Sequence, residues 1–200
     1  PLWVADMDFS SSKEIVESLK ARATHPCYGY GCDDEELRTV ICQWAENHYG
    51  WEIHPEWLLF VPGVVTGMNW AIQSQLKPGQ KIGFHTPIYP PFLKFAGNAD
   101  VNEARIPLTQ SANGFEIDFE LFEKAIRECS VFAFCNPHNP AGRVFTRAEL
   151  EQIADICLRN GVVICSDEIH CDLVYNGHRH IPIASLSHEI ASRVITLMAP

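Results

Sequence analysis

Basic residues are scarce in this 200-residue chain: 15 Lys and Arg stand against 25 Asp and Glu, a formal charge of −10 with the histidines neutral. Binding a nucleic-acid backbone requires a basic face, and no Lys/Arg cluster offsets the acidic excess, so nucleic acid is excluded as the expected partner. Long apolar runs are lacking too. The longest, Trp57 to Val65, is interrupted by Pro62 and Gly63 and falls short of the ~18 residues that a bilayer helix needs. No membrane span is expected. Repeats, low-complexity tracts and flexible linkers are also absent. With 46% hydrophobic and only 20% charged residues, the chain can bury enough surface to offset the entropy of ordering, which excludes disorder.

Eight cysteines are present, but no two form a C-x-x-C pair. Most lie in apolar periodic segments as small hydrophobes, the usage of a reducing cytosol, so a cytoplasmic location is expected. Cys165, His170, Cys171, His178 and His180 are close in sequence. Their spacing matches no structural zinc pattern, and no metal is expected. The run His178-Arg179-His180 reads as a solvated loop. The chain opens at Pro1 without an initiator Met or a signal region and closes at Pro200 directly after the strand-like run Val194 to Met198. It therefore reads as part of a larger protein.

The local punctuation is clearest in the second half. Thr146 with Glu149 makes a capping box and Phe145 with Leu150 a staple across it, so a helix should start near Arg147. Leu150, Ile153, Ala154 and Cys157 recur at helical spacing up to Gly161, a natural stop. Apolar runs flank this helix, Val131 to Cys135 before it and Val162 to Cys165 after it. They lack alternation, as strands buried on both faces of a parallel sheet do, and the order is that of a βαβ unit. In the first half, Asp33 with Glu36 can cap a helix with Leu37, Val40, Ile41 and Trp44 inward, ending at Gly50. A second helix follows Pro62-Gly63 and runs to Lys77-Pro78-Gly79, then comes a strand from Lys81 to His85, and Asp118 caps another helix. Alternating helices and short strands predict an α/β fold.

Ligands of open parallel sheets bind beyond the carboxyl ends of the strands. Two loops there carry chemistry: Asn136 to Arg143, rich in prolines and amides, and Ser166 to His170, which sets a carboxylate at the mouth of a buried strand. Because the crossover makes the two strands parallel, Asn139 and Asp167 come to the same sheet edge and can share a ligand.

These residues resemble a known family. Asn139-Pro140-Ala141-Gly142 and the strand ending in Asp167-Glu168-Ile169-His170 are similar to the large domain of the fold-type I pyridoxal-phosphate enzymes. Leu2 to Phe9, Thr86 to Phe92 and Cys135 to Pro140 resemble the cystathionine β-lyase (MalY/PatB-like) branch, grouped with the class I/II aminotransferases. The resemblance runs through essentially the whole chain. It implies a three-layer α/β/α large domain with a mostly parallel sheet, cut before its end. Residues 1–27 would be an N-terminal segment near the active site and the small domain, and 28–200 part of the cofactor-binding domain, with the small domain missing.

The resemblance also implies roles. Asp167 would pair with the ring nitrogen of pyridoxal 5'-phosphate, since a buried carboxylate favours the protonated nitrogen and makes the ring an electron sink. Asn139 would donate to the phenolic oxygen. His170 would contact that oxygen too, at a position where many relatives carry Tyr. Tyr89 would stack on the ring. The main-chain N–H groups of Val64 and Val65, with the Thr66 hydroxyl, would hold the phosphate at a helix start. Tyr30 would reach the phosphate of the neighbouring subunit, implying a homodimer. Read without the family, Asp167 would cap the following segment, Tyr89 and Tyr30 pack in turns, His170 be a hydrogen-bonded histidine near the surface, and Pro62-Gly63 open an ordinary helix.

None of the six lysines follows Asp167, so no catalytic residue is expected in this chain. The Schiff-base lysine would lie just after Pro200, where relatives have it beyond an Ala-Pro-Ser-like turn, and the fragment alone would be inactive. The implied activity is β-elimination of L-cystathionine or a related sulfur amino acid to pyruvate, ammonia and a thiol. An aminotransferase using the same residues is the alternative, and a non-catalytic regulatory protein on the same fold a second one.

Overall fold

The computed structural model describes residues 5–112, 114–175 and 177–199. Leu2, Trp3 and Val4 of the N-terminal motif, and Pro200, lie outside the described residues. The chain divides into two compact units, one up to Glu35 and one from Glu36 onward.

The first unit is built on helix α1 (Lys13–Thr24), whose Ser12 side chain accepts from the Ile15 N–H. Arg22 ties down the segment after the helix, donating to Tyr28 O at 2.8 Å with its guanidinium 5.2 Å from the Tyr28 ring centroid. Tyr30 lies in this unit with its side chain fully exposed.

The second unit takes in α2 (Glu35–Tyr49) from its second residue, and the helix ends at Gly50 in the left-handed region, φ 63°. Then follow α3 (Val64–Gln75), β1 (Lys81–Thr86), α4 (Phe92–Asn98), β2 (Asn102–Pro107) and a hairpin of β3 (Thr109–Ser111) and β4 (Gly114–Glu116). After it come α5 (Phe119–Ile126), β5 (Val131–Cys135), α6 (Arg147–Arg159), β6 (Val163–Asp167), α7 (His188–Ala191) and β7 (Val194–Leu197). Five strands form one sheet in the order β2-β1-β5-β6-β7, every pair parallel.

That order puts the topological switch between β1 and β5. The chain leaves β1 through α4 toward one edge and leaves β5 through α6 toward the other. Right-handed crossovers in opposite directions must place their helices on opposite faces. They do: Phe92 and Phe95 of α4 join Met68 and Ile72 of α3 in one buried cluster. Leu150, Ile153 and Cys157 of α6 join Phe122 and Ile126 of α5 in the other. The sheet between two helical layers completes the expected α/β/α sandwich. β5 is buried at all five positions, which is why its sequence shows no alternation. The capping box at α6 forms as read, with Thr146 accepting from the Glu149 N–H and Glu149 from the Thr146 N–H.

The inner face of α2 is narrower than its periodicity predicts. Ala45 is buried, and Ile41 and Trp44 are half-buried, but Leu37 is 45% and Val40 53% exposed. Periodicity identifies an apolar face without saying what covers it.

Candidate active site

Asp167 is the last residue of β6 and lies opposite Cys135 of β5 in register. It is 5% exposed, and its Oδ1 accepts from the Ile169 N–H at 3.2 Å. Burial pushes its carboxyl up to about 6, with Glu168 adding to the rise, while the Ile169 N–H and the charge of His170 act in the opposite direction. No Lys or Arg among the described residues forms an ion pair with it. A carboxylate desolvated in this way is poised to receive a cation or a proton donor.

The loop after β5 sits beside it. The Asn136 N–H donates to Asp167 O at 3.0 Å, and a tight turn follows, with His138 N–H on Arg143 O at 2.7 Å and Gly142 N–H on His138 O at 2.8 Å. Gly142 takes φ 63°, where a side chain would be strained. Arg143 fixes the far end of the turn, donating to Phe115 O and pairing with Glu149. Asn139 rides half-buried on this turn. The bonds Thr86-Pro87, Asn136-Pro137 and Asn139-Pro140, all at this sheet edge, are cis.

Beyond β1, Tyr89 is half-buried against the cluster that also contains Val64, Ile88, Cys135 and Leu197. The start of α3, the Tyr89 loop and the ends of β5 and β7 therefore contribute to one buried cluster on this face of the sheet. The N-cap of α3 is Gly63, with φ 104° and no side chain to satisfy the first N–H groups. Those amides and the helix dipole leave a place for an anion. Gly67, one turn on, lets the helix lie close to the sheet: a Cβ there would fall 2.4 Å from Leu197 Cδ2 and 2.9 Å from Val61 Cγ2.

The structure thus brings Val64, Val65, Thr66, Tyr89, Asn139 and Asp167 to one edge, and His170 close enough to Asp167 for its charge to be felt there. Tyr30 belongs to the other compact unit.

Two buried groups escape a reading by sequence. His180 is not in a solvated loop, as its neighbours suggest; it is 2% exposed, because its Nε2–H donates to the buried Glu168 Oε2 at 2.6 Å. His178 and Arg179 are exposed as expected. No periodic pattern foretells this pairing, since the partners are 12 residues apart across a turn. The second group is His85 and His138 on the opposite face, both buried near Phe145. Burial depresses both, His85 to about 3 and His138 to about 4, so both are neutral at physiological pH. His85 is hidden inside the strand run Lys81 to His85, and His138 in a polar loop that gives no sign of burial. Among the described residues no group of three His, Cys, Asp or Glu could hold a metal ion, and no helix is long and apolar enough to cross a membrane.

Cystathionine β-lyase PatB of Bacillus subtilis is 40% identical over the whole chain, which covers 52% of that protein. A pyridoxal-phosphate-bound structure from Clostridium difficile 630, provisionally named an aminotransferase, superposes with a TM-score of 0.96 at 40% identity. The chain is covered in full there, against 52% of that chain. Cystalysin of Treponema denticola, which contains pyridoxal 5'-phosphate, superposes with a TM-score of 0.94 at 34% identity, covering all of this chain and 51% of its own. This chain spans about half the length of the relatives it matches. Residues 2–198 match the family of class I and II aminotransferases, and with that match the chain belongs to this fold-type I pyridoxal-phosphate family.

Proposed function

We propose that this chain carries the cofactor-binding half of a pyridoxal-phosphate-dependent carbon–sulfur lyase that eliminates a thiol from L-cystathionine or a related amino acid. The observation that supports it most is the buried Asp167 carboxyl, held up at about 6 beside a helix start that lacks a side-chain cap. A cationic ring nitrogen and a phosphate are the two charges such a site would neutralise. The site thus fits the cofactor that cystalysin contains.

When bound, the cofactor supplies an electron sink for charge at the substrate's α-carbon. The chain's own residues do the rest. Asp167 accepts the ring N–H and keeps the proton there. Asn139, with its amide, and His170 address the phenolic oxygen, and Tyr89 limits the tilt of the ring. Val64 and Val65 N–H and the Thr66 hydroxyl hold the phosphate, so that the cofactor is anchored at its phosphate as well as at its ring nitrogen. Tyr30 reaches the phosphate of a neighbouring subunit in a cytoplasmic homodimer, residues 1–27 lie near the active site and the small domain, and residues 28–200 belong to the large domain. The thiol-eliminating outcome is favoured by the 40% identity to cystathionine β-lyase PatB. Amino transfer is the second reading, favoured by the Clostridium difficile structure at equal identity.

The test is to give L-cystathionine to the purified full-length protein. Pyruvate and a free thiol appearing together without an added keto acid support the lyase. Amino transfer that depends on a keto acid, with no thiol released, replaces it with the transferase.

A further inference from the structure

Directly beyond Asp167 lies a second buried carboxylate. Glu168 is fully buried, and its side chain receives three donors: Ser166 Oγ–H at 2.9 Å and Ile183 N–H at 3.2 Å on Oε1, and His180 Nε2–H at 2.6 Å on Oε2. Its own N–H donates to Leu197 O at 2.9 Å. The residue is thus tied through its backbone to β7 and through its side chain to β6, to His180 and to the 3-10 turn Ile183–Ser185. His180 is held in turn, its ring edge-on to Tyr49 of α2 with centroids 5.5 Å apart. The Tyr49 hydroxyl donates to Asp172 Oδ1 at 2.9 Å. Because Glu168 Oε2 accepts from Nε2–H, and Nδ1 meets no partner among the described residues, the network places the imidazole proton on Nε2.

A buried hydrogen-bonded polar pair is a poor source of stability, since apolar residues of equal volume often serve as well. This pair sits one residue from the carboxylate that the cofactor reading depends on. The geometry points to Glu168, clamped by His180, as a positioning residue for the cofactor ring: it fixes the end of β6 that carries Asp167 and adds a second negative charge beside it. The inference rests on the cofactor reading above and deepens it. The titratable groups facing the pair are Asp167, Cys171 and Asp172 on its own strand and turn, and Tyr49 from α2. β7 and the 3-10 turn contribute only the Leu197 carbonyl and the Ile183 N–H.

The experiment is a pH titration of the visible absorption of bound pyridoxal phosphate in the full-length protein, with the thermal shift that the cofactor produces. Glu168→Gln keeps the volume and removes the charge. Taking a negative charge from beside the site should lower the cofactor's proton affinity by about tenfold, in the same direction as Asp167→Asn but less, and shrink the cofactor-induced thermal shift. His180→Leu should do likewise. His180→Gln, whose amide can still donate to Glu168, should stay within about twofold of the parent. An unmoved titration in E168Q, with equal loss of thermal stability with and without cofactor, overturns the inference and leaves the pair purely structural. If D167N also leaves spectrum and affinity unmoved, it is the cofactor reading that has failed. Should E168Q not fold, the contrast between the two His180 variants decides by the same criteria.

Discussion

Asp167 holds its place against its own stability. Unfolded, its carboxyl titrates near 3.8; folded without a cationic partner, near 6. The folded state therefore keeps the proton over a window in which the unfolded state has lost it. The group favours folding most below about pH 4, and that contribution is lost as pH rises through 6, a change of about 3 kcal/mol. Asp167→Asn should consequently make the cofactor-free protein no less stable at pH 8, and up to about 3 kcal/mol more stable, while it abolishes tight cofactor binding. Denaturant unfolding of both proteins at pH 8 and pH 5, with cofactor titration alongside, checks this. The gain should vanish toward pH 4. His85 and His138 act oppositely: both are depressed in the fold, so their neutral forms support it above pH 6.5 and that support is lost as pH falls toward 4 and 3. Acid unfolding of the cofactor-free protein should set in earlier than carboxylates alone would cause, and His85→Phe should delay it. Asp167 and Asn139 were legible because strand ends of a parallel sheet are where ligands sit. Glu168 and His180 were not, because the burial of each depends on the other and neither breaks a pattern.

Among the elements, α6 is the most fully written in the sequence. Its cap, staple, inner face and stop are all local, and all form. Thr146→Ala removes an acceptor from the first turn and should cost about 1 kcal/mol in denaturant unfolding. α2 was legible in its stop at Gly50 but not in its burial, since Leu37 and Val40 stay exposed. The hairpin β3–β4 and the edge strand β2 were not legible at all; strands with only one fully buried position or none carry neither the unbroken apolar run nor a clean alternation. α3 shows how an element positions a site. With Gly67 at its inner face, the first turn approaches the end of β7 more closely than any side chain would allow. Gly67→Val must push the helix outward, costing about 1–3 kcal/mol and moving the N–H groups of Val64 to Thr66. Cofactor affinity should fall by more than the loss of stability alone accounts for, a comparison that calorimetric titration and unfolding together provide. Normal affinity in a destabilised variant would remove the start of α3 from the site.

At the scale of the whole molecule, strand order does most of the work. The reversal between β1 and β5 opens a crevice at one edge, and the chain delivers to it a helix start, an aromatic, an amide and a carboxylate from four separate stretches. The class of fold was readable from the alternation of elements, and the edge from the βαβ unit alone. The strand order was not, because β1 and β2 carry no signal of which neighbour they pair with. Lyase and transferase share this half of the site, so their separation lies in the substrate assay rather than in the sheet.

The most direct test of the central claim is a crystal structure of the full-length protein with pyridoxal 5'-phosphate. The ring nitrogen should lie within hydrogen-bonding distance of the Asp167 carboxylate, the phosphate on the N–H groups at the start of α3, and the Tyr89 ring against the face of the pyridine. A phosphate bound elsewhere, or a ring nitrogen turned away from Asp167, would contradict it.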